Sequence, residues 1–219
     1  MVGQIPPAEA TMEPVLTLLP ADTLIWRCHR HRYGAAEFNP RTAHEFFKGS
    51  RFDSTEKDPY PFLYAALDPV TALAEVLLRS VEFGDRSAIR QIPWAQASAY
   101  ALSAVRTAED LVLVDLTSAE ALAAVWQDDW LVDCRPDDYP QTRYWVRLIR
   151  EHSKRAQGLR WTSKRCRPRP ALQFFGDRCA GQPLTTRSES SLRLDSDTDV
   201  QEVNRMLGPL RAVISTPES

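Results

Sequence analysis

Residues 62–79 constrain the fold more than any other stretch, because they join a short apolar run directly to an apolar helix. Residues 62–67 contain no charged side chain and are followed by Asp68 and Pro69, a pattern typical of a buried strand. Asp68 is predicted to be the N-cap of the helix and Pro69 its first residue, where a missing N–H loses no hydrogen bond. The strand and the helix are therefore expected to hold their side chains at fixed relative positions.

The predicted helix has one apolar stripe, and Glu75 lies off it. The stripe follows the i, i+3, i+4, i+7 spacing and comprises Val70, Leu73, Ala74 and Leu77. Glu75 is roughly 140 degrees round the helix from Val70. It either pairs with Arg79 on the helix surface or turns inward to a functional site. Tyr64, on the preceding strand, is either a core tyrosine with a bound hydroxyl or part of the same site.

The remaining patterns predict an α+β fold. Strands are predicted at residues 23–29, 97–105, 111–117, 158–163 and 171–175, with a strand or extended tail at 210–214. Helices are predicted at residues 41–48, 118–126, 138–158 and 199–207, the last three with capping patterns that begin at Thr117, Asp138 and Asp199. Because the strands come in pairs without regular helical crossovers, we expect small mixed or antiparallel sheets flanked by helices, not a doubly wound parallel sheet.

A chain of 219 residues can bury one sizeable core, so a single domain is expected. The proline-containing residues 1–20 are predicted to be an N-terminal extension, and residues 21–219 the domain. The core of the domain is expected at residues 24–176, followed by a polar loop at 177–196 and a C-terminal helix and tail at 197–219.

Charge and composition narrow the classes of function. The chain has 27 basic and 29 acidic side chains, so no bulk attraction to nucleic acids or anionic membranes is expected. No run approaches the roughly 18 apolar residues of a membrane span, and the N-terminus lacks a basic segment followed by an apolar one, which predicts a cytoplasmic protein. The four scattered cysteines, without a C-x-x-C pair, are expected to be reduced.

The sequence lacks both the G-x-G-x-x-G and the G-x-x-x-x-G-K-[ST] phosphate-binding motifs. A bound nucleotide would therefore need side-chain cations, and Arg27 and Arg51 are the candidates because a guanidinium matches phosphate oxygens. The alternative for each is an ordinary surface or ion-paired arginine. Ser163 lacks the G-x-S-x-G pattern of a nucleophile elbow, and its alternative is a serine at the end of a strand.

A basic segment at residues 27–32 leaves two further alternatives. His29 and His31 would project to one side of a strand, but no second Cys or His cluster has structural-zinc spacing, so no metal site is expected. The alternating arginines and histidines would also suit contacts with nucleic-acid phosphates, which the neutral overall charge disfavours.

Five short motifs together resemble the RES-domain family, the toxins of bacterial RES–Xre toxin–antitoxin pairs. They occur in the family's order and span most of the chain. The motifs are Leu-Ile-Trp-Arg at residues 24–27, Gly-Ser-Arg-Phe at 49–52, Leu-Tyr-Ala-Ala at 63–66, Ala-Leu-Ala-Glu at 72–75 and Gly-Leu-Arg-Trp-Thr-Ser at 158–163. The resemblance implies a fold similar to that of ADP-ribosyltransferase toxins and an enzyme that degrades NAD by hydrolysis or phosphorolysis or, in some members, modifies a protein. It also implies a cognate Xre-type antitoxin as partner, with NAD as substrate and no metal.

Carried over by motif, the resemblance implies a site made of Arg27, Arg51, Tyr64, Glu75 and Ser163. Because the nicotinamide leaving group is already cationic, the reaction mainly requires stabilisation of an oxocarbenium-like ribose. Glu75 is expected to stabilise that charge, Tyr64 to orient the nicotinamide end, and Ser163 to position the ribose or a site partner. Arg27 and Arg51 are expected to hold the diphosphate, with water or inorganic phosphate as acceptor. The alternatives are a protein ADP-ribosyltransferase with the same residues, or a non-catalytic module that binds nucleic acid or a partner.

Overall fold

The computed structural model describes residues 11–84 and 88–216. In chain order, its strands and α-helices are β1 (Leu16–Leu19), β2 (Leu24–Arg30), β3 (Phe62–Ala66), α1 (Pro69–Leu77), β4 (Arg90–Pro93), α2 (Trp94–Ala97), β5 (Tyr100–Thr107), β6 (Leu111–Leu116), α3 (Ala119–Ala124), α4 (Trp130–Asp133), α5 (Tyr139–His152), β7 (Gly158–Thr162), β8 (Pro170–Phe175), β9 (Leu184–Arg193), α6 (Asp197–Leu207) and β10 (Ala212–Ser215). No helix within these ranges is long and apolar enough to cross a membrane.

Eight strands form one sheet in the order β1-β6-β7-β8-β3-β2-β5-β9, and β10 pairs with β4 in a second sheet. Within the large sheet, all neighbours are antiparallel except β6 and β7. Residues 108–110 join β5 to β6, although four strands lie between these two in the sheet. So short a connection requires the sheet to curl until β5 and β6 approach each other. The predicted α+β class is confirmed.

The curled sheet has an inner and an outer face. The inner face encloses one apolar cluster that takes Leu19 from β1 and Leu184 from β9, near the two ends of the sheet. The outer face carries two larger clusters. Trp145 of α5 lies in one of them, and Leu73 of α1 and Val203 of α6 lie in the other. Tyr64 of β3 packs against the first outer cluster, and α1 belongs to the second. The segment formed by β3 and α1 therefore contacts both outer clusters.

The strand, turn and helix predicted at residues 62–79 are confirmed. The Asp68 carboxylate accepts hydrogen bonds from the N–H of Thr71 at 3.0 Å and from its hydroxyl at 2.6 Å, and Pro69 is the first helical residue. The stripe residues Leu73 and Leu77 are fully buried. The helix ends at Leu77, so Arg79 lies beyond its last turn.

The helix predicted at residues 41–48 is wrong, since this segment is an irregular loop. A distant arginine binds several of the carbonyl oxygens that a helix would have used. The guanidinium of Arg143 on α5 donates to the backbone oxygens of His44, Glu45, Lys48 and Ser50. Lys48 and Gly49 follow with φ of 56° and 79°, a left-handed conformation that ends any regular helix.

The polar loop predicted at residues 177–196 is also wrong in part, because residues 184–193 form β9. This strand pairs with β5 at the end of the sheet, and its Leu-Thr-Thr-Arg-Ser-Glu-Ser-Ser-Leu-Arg sequence lacks the regular apolar alternation that identifies a strand. Three of the predicted caps differ as well. Ser118, not Thr117, caps α3 with its hydroxyl, Asp138 makes no side-chain cap, and α6 begins at Asp197 after Ser196.

The ends of the chain are only partly covered. Residues 1–10 of the predicted N-terminal extension and residues 217–219 of the predicted tail lie outside the described residues. Within the predicted extension, residues 16–19 form β1, which pairs with β6. Residues 210–214 were predicted as a strand or an extended tail, and residues 212–215 form strand β10. All four cysteines are free thiols, as the sequence predicts.

Candidate active site

Glu75 on α1 and Ser163, which directly follows β7, are in contact. The Ser163 hydroxyl donates a hydrogen bond to Oε1 of Glu75 at 2.5 Å. The same hydroxyl oxygen accepts from the backbone N–H groups of Arg165 at 3.2 Å and Cys166 at 3.0 Å. Since those two bonds occupy its lone pairs, its proton is directed to the carboxylate. Ser163 is fully buried, so the contact comes from the interior of the protein and fixes the orientation of the Glu75 carboxylate.

The segment that carries Arg51 is fastened to the outer face of the sheet through its backbone. The N–H of Phe52 donates to the Tyr64 hydroxyl at 3.1 Å, and its carbonyl accepts from Gln173 at 2.5 Å. Tyr64 and Gln173 are cross-strand partners on β3 and β8, so both point to the same face. The Arg51 carbonyl accepts from the hydroxyl of Thr142 on α5 at 2.6 Å. Three elements therefore hold the backbone of Arg51 and Phe52.

Tyr64 uses its hydroxyl within the protein. Besides accepting from Phe52, the hydroxyl donates to Oδ1 of Asp53 at 2.9 Å. Burial raises the pKa of Tyr64, so the phenol stays protonated, and burial also raises the pKa of the Asp53 carboxyl. The ring lies edge to face with Trp161, with ring centres 6.2 Å apart. Tyr64 thus holds the Arg51 segment, and its predicted contact with nicotinamide stays a prediction.

The guanidinium of Arg51 is buried without an acidic partner. Arg51 is 8% exposed, its Nε has no hydrogen-bond partner, and no carboxylate of the described residues lies within 4 Å of it. Its Cζ lies 5.6 Å from the centre of the Tyr139 ring. The Cys134 thiol is nearby, where burial raises the pKa of the thiol and the charge of Arg51 offsets part of that rise.

The side chain of Arg79 lies near Tyr139, as that of Arg51 does, and not beside Glu75. The surface ion pair considered for these two residues is wrong, because the helix ends before Arg79 and the side chain turns to another segment. Its Nη1 donates to the Ser50 hydroxyl at 3.0 Å, and its Cζ lies 5.3 Å from the centre of the Tyr139 ring. Burial lowers the pKa of Arg79, but Tyr139 and the neighbouring acidic groups outweigh this and raise it above the usual value.

Arg27 lies apart from the other predicted residues. Trp26 pairs with Ala66 across β2 and β3, so Trp26, Ala66 and Tyr64 share the outer face, and Arg27 points to the inner one. Burial lowers the pKa of Arg27 to about 10. Its Nη1 donates to three carbonyls of the loop that follows β2, those of Gly34, Ala35 and Glu37, at 3.0, 2.8 and 2.8 Å. The predicted contact of Arg27 with a diphosphate stays a prediction, and in this structure Arg27 fastens a loop.

His29 follows Arg27 on the inner face and is bound to Ser103 through Nε2 at 3.0 Å, whereas His31 is exposed. No group of three or more His, Cys, Asp or Glu side chains within residues 11–84 and 88–216 is arranged to hold a metal.

Four residues of this region were not singled out from the sequence: Asp53, Arg79, Tyr139 and Gln173. Asp53 and Gln173 act by holding other residues, and no motif marks such a role. Tyr139 begins α5, where an aromatic residue next to Pro140 carries no functional signal. Arg79 was assigned to the helix surface because periodicity cannot locate the last turn of a helix to within one residue.

The comparisons with known proteins agree with this fold. The RES domain family model matches residues 24–195. A chain in the crystal structure of the M. tuberculosis MbcT–MbcA toxin–antitoxin complex has a similar fold, with a TM-score of 0.57 and 17% sequence identity. That alignment covers 85% of this chain and 91% of the other. No curated protein matches the sequence.

Proposed function

The chain belongs to the RES domain family, and on this premise we propose that it is a toxin-type enzyme that degrades NAD. The bond broken is the one between nicotinamide and ribose, and the acceptor is water or inorganic phosphate. The observation that carries this proposal is the contact of Glu75 with Ser163, in a part of the molecule where Arg51 lacks an acidic partner.

The chemistry of the bond explains why a carboxylate is needed. When the bond breaks, its electron pair moves to the ring nitrogen of nicotinamide, which loses its positive charge and leaves as a neutral molecule. Positive charge then develops on C1′ and the ring oxygen of the ribose. A fixed carboxylate beside this centre stabilises the transition state more than the ground state. Water or phosphate then attacks C1′, and water loses a proton as the product forms.

Glu75 is suited to this role because only one of its oxygens is bound. Oε1 accepts from Ser163, while Oε2 accepts no hydrogen bond from the described residues. Oε2 is thereby left for the ribose hydroxyls and the developing charge. Ser163 acts as a positioning residue, since its hydroxyl is held by two backbone N–H groups and donates to the carboxylate that the reaction needs in its charged form.

Replacing Glu75 tests the proposal. Glu75→Gln keeps the size of the side chain and an oxygen that can accept from Ser163, but it removes the charge. We expect the variant to keep its fold by circular dichroism and to release nicotinamide from NAD at least about 10²-fold more slowly. Glu202→Gln, the same change on the exposed side of α6, is the matched control and is expected to leave turnover unchanged. Undiminished turnover by folded Glu75→Gln would contradict the proposal.

The acceptor is identified with the wild-type protein. Release of nicotinamide that accelerates with added phosphate indicates phosphorolysis, and release independent of phosphate indicates hydrolysis. Label from NAD that stays on a protein indicates the alternative, ADP-ribosylation. A folded protein that releases no nicotinamide, whether or not it binds NAD, supports the non-catalytic alternative.

We also propose an Xre-type antitoxin as the protein partner. Support comes from the family and from the similar fold found in a structure of a toxin–antitoxin complex. Expression of the wild-type chain in bacteria is expected to lower cellular NAD and stop growth, and co-expression of an antitoxin is expected to restore both. Expression of Glu75→Gln is expected neither to lower cellular NAD nor to stop growth, which would tie growth arrest to the same carboxylate.

A further inference from the structure

We infer that Arg79 and Arg51, whose side chains both approach the ring of Tyr139, form a paired binding site for a diphosphate. This inference rests on the proposed function, since it assigns the diphosphate of the dinucleotide to that pair. It adds Arg79 and Tyr139 to the substrate-binding residues and gives the site a reason to prefer a dinucleotide over a simple nucleoside.

Both guanidinium groups lie close to one aromatic ring. The Cζ atoms of Arg51 and Arg79 are 5.6 and 5.3 Å from the centre of the Tyr139 ring, within the range of a cation–π contact. Tyr139 is buried at the start of α5. Because both distances run to the centre of the same ring, the two Cζ atoms are no further apart than the sum of these distances, and the two cations are neighbours.

Neither arginine has a carboxylate within 4 Å among the described residues, unlike the buried Arg150. Arg150 binds Asp58 and Asp177, each at 2.8 Å, and Arg143 binds four backbone carbonyls. In contrast, Arg51 donates no hydrogen bond to an oxygen of the described residues. A buried guanidinium with unused donors is unfavourable unless a ligand supplies acceptors.

Among the described residues, the guanidinium of Arg79 is bound by uncharged side chains, those of Ser50 and Tyr139. Of its guanidinium nitrogens, Nη1 binds the Ser50 hydroxyl, and no carboxylate of the described residues lies within 4 Å. Asp53 is the nearest acidic influence, but its two oxygens already accept from Tyr64 and from the N–H of Ser50. Two cations held near each other repel, and an anion that contacts both relieves the repulsion.

The position of Arg79 along the chain fits a dinucleotide. It follows Glu75 by four residues, just after the end of α1. In NAD, a single ribose separates the nicotinamide bond from the diphosphate. A carboxylate for the ribose and a guanidinium for the diphosphate then come from the same short segment of the chain. A fork of N–H donors binds phosphate oxygens in pairs, which a lysine cannot do.

Comparison of two substrates tests the inference. Nicotinamide riboside contains the same bond as NAD but no phosphate, so only NAD gains from the paired arginines. For Arg79→Gln, we expect kcat/KM for NAD to fall at least 10-fold, mainly through a higher KM, with kcat/KM for the riboside unchanged. Arg79→Lys keeps the charge but not the fork of donors, and its kcat/KM for NAD is expected to lie between those of the wild type and Arg79→Gln. Arg205→Gln, on the exposed part of α6, is the control and is expected to match the wild type.

The outcomes separate a binding role from a structural one. An equal fall in kcat/KM for both substrates, or no change for NAD, would overturn the inference. If the wild-type protein degrades neither substrate, the proposed function fails, and calorimetry with inorganic pyrophosphate then decides on the paired site. Binding to the wild type that weakens at least 10-fold in Arg79→Gln supports the site on its own, and absence of pyrophosphate binding to the wild type contradicts it.

Discussion

His29 is a buried histidine held neutral by its surroundings. Its Nε2 contacts the Ser103 hydroxyl at 3.0 Å, and that hydroxyl contacts Ser191 at 2.9 Å, so three strands are linked on the inner face. Burial, and then the positive charge of Arg27, lower the pKa of His29 to about 4 from a usual value near 6.5. The folded chain therefore disfavours the protonated imidazole.

The pKa of His29 predicts a loss of stability in mild acid. Between pH 6.5 and 4 the unfolded chain binds a proton at His29 and the folded chain does not, so the free energy of unfolding falls as the pH is lowered through this range. At pH 5 this loss is about 2 kcal/mol. Urea unfolding at pH 7 and pH 5 measures it, and His29→Gln is expected to remove that part of the pH dependence.

His152, which is exposed at the end of α5, supplies the control. His152→Gln is expected to keep the wild-type difference between the two pH values. Equal pH dependence in His29→Gln and the wild type would assign the loss to other groups.

At the same scale, Glu75 marks the limit of inference from a single sequence. Helical periodicity placed its side chain off the apolar stripe, and this is correct, but periodicity did not show which neighbour it meets. Ser163 is 88 residues away in the chain, and Arg79 leaves the helix. Both partners of this contact are among the five residues implied by the family motifs. Arg27 lies on the other face of the sheet from Trp26, because neighbouring residues of a strand point to opposite sides.

The N-cap of α1 predicts how a single element controls the site. Asp68→Ala removes the hydrogen bond to the N–H of Thr71 and an exposed contact with Arg169. We expect the free energy of unfolding to fall by about 1 kcal/mol and NAD turnover to fall several-fold, because the first turn of the helix that carries Glu75 loosens. Chemical unfolding and nicotinamide release measure the two effects.

Ser118→Ala is the matched control, since Ser118 caps α3 through the N–H of Ala121 at 3.2 Å and α3 carries no proposed site residue. A similar loss of stability with unchanged turnover is expected. If both variants reduce turnover equally, the effect belongs to general stability and not to α1.

Among the elements, those with strong local signals were predicted and those formed by distant contacts were not. The capped helix α1 and the apolar strands β3, β6 and β8 carry their signals in their own residues. The loop at residues 41–48 has a helical pattern, but Arg143 on α5 binds its carbonyls. The polar strand β9 pairs with β5 through its backbone, and its two apolar side chains, Leu184 and Leu192, pack against the core near its ends.

For the whole molecule, β1 predicts the effect of shortening the chain. Leu19 and Met12 are buried in separate clusters, and β1 covers the edge of β6. Removal of residues 1–19 is expected to lower the free energy of unfolding by about 3 kcal/mol or more and to promote self-association through the exposed edge. A chain that lacks only residues 1–10 keeps β1 and is the comparator. Equal stability and a monomeric state for both would show that the segment is a dispensable extension.

The contact of Glu75 with Ser163 has a consequence for the synthesis of the protein. A ribosome that adds about 5–20 residues per second makes Ser163 roughly 4–18 s after Glu75. Even then β7 joins β3 only through β8, which must be made first. Nascent chains and prematurely terminated products that stop before residue 170 therefore carry the carboxylate without its support. The proposed activity belongs to nearly finished chains alone, and each round of translation leaves an interval in which an inhibitor can meet the protein before it is competent.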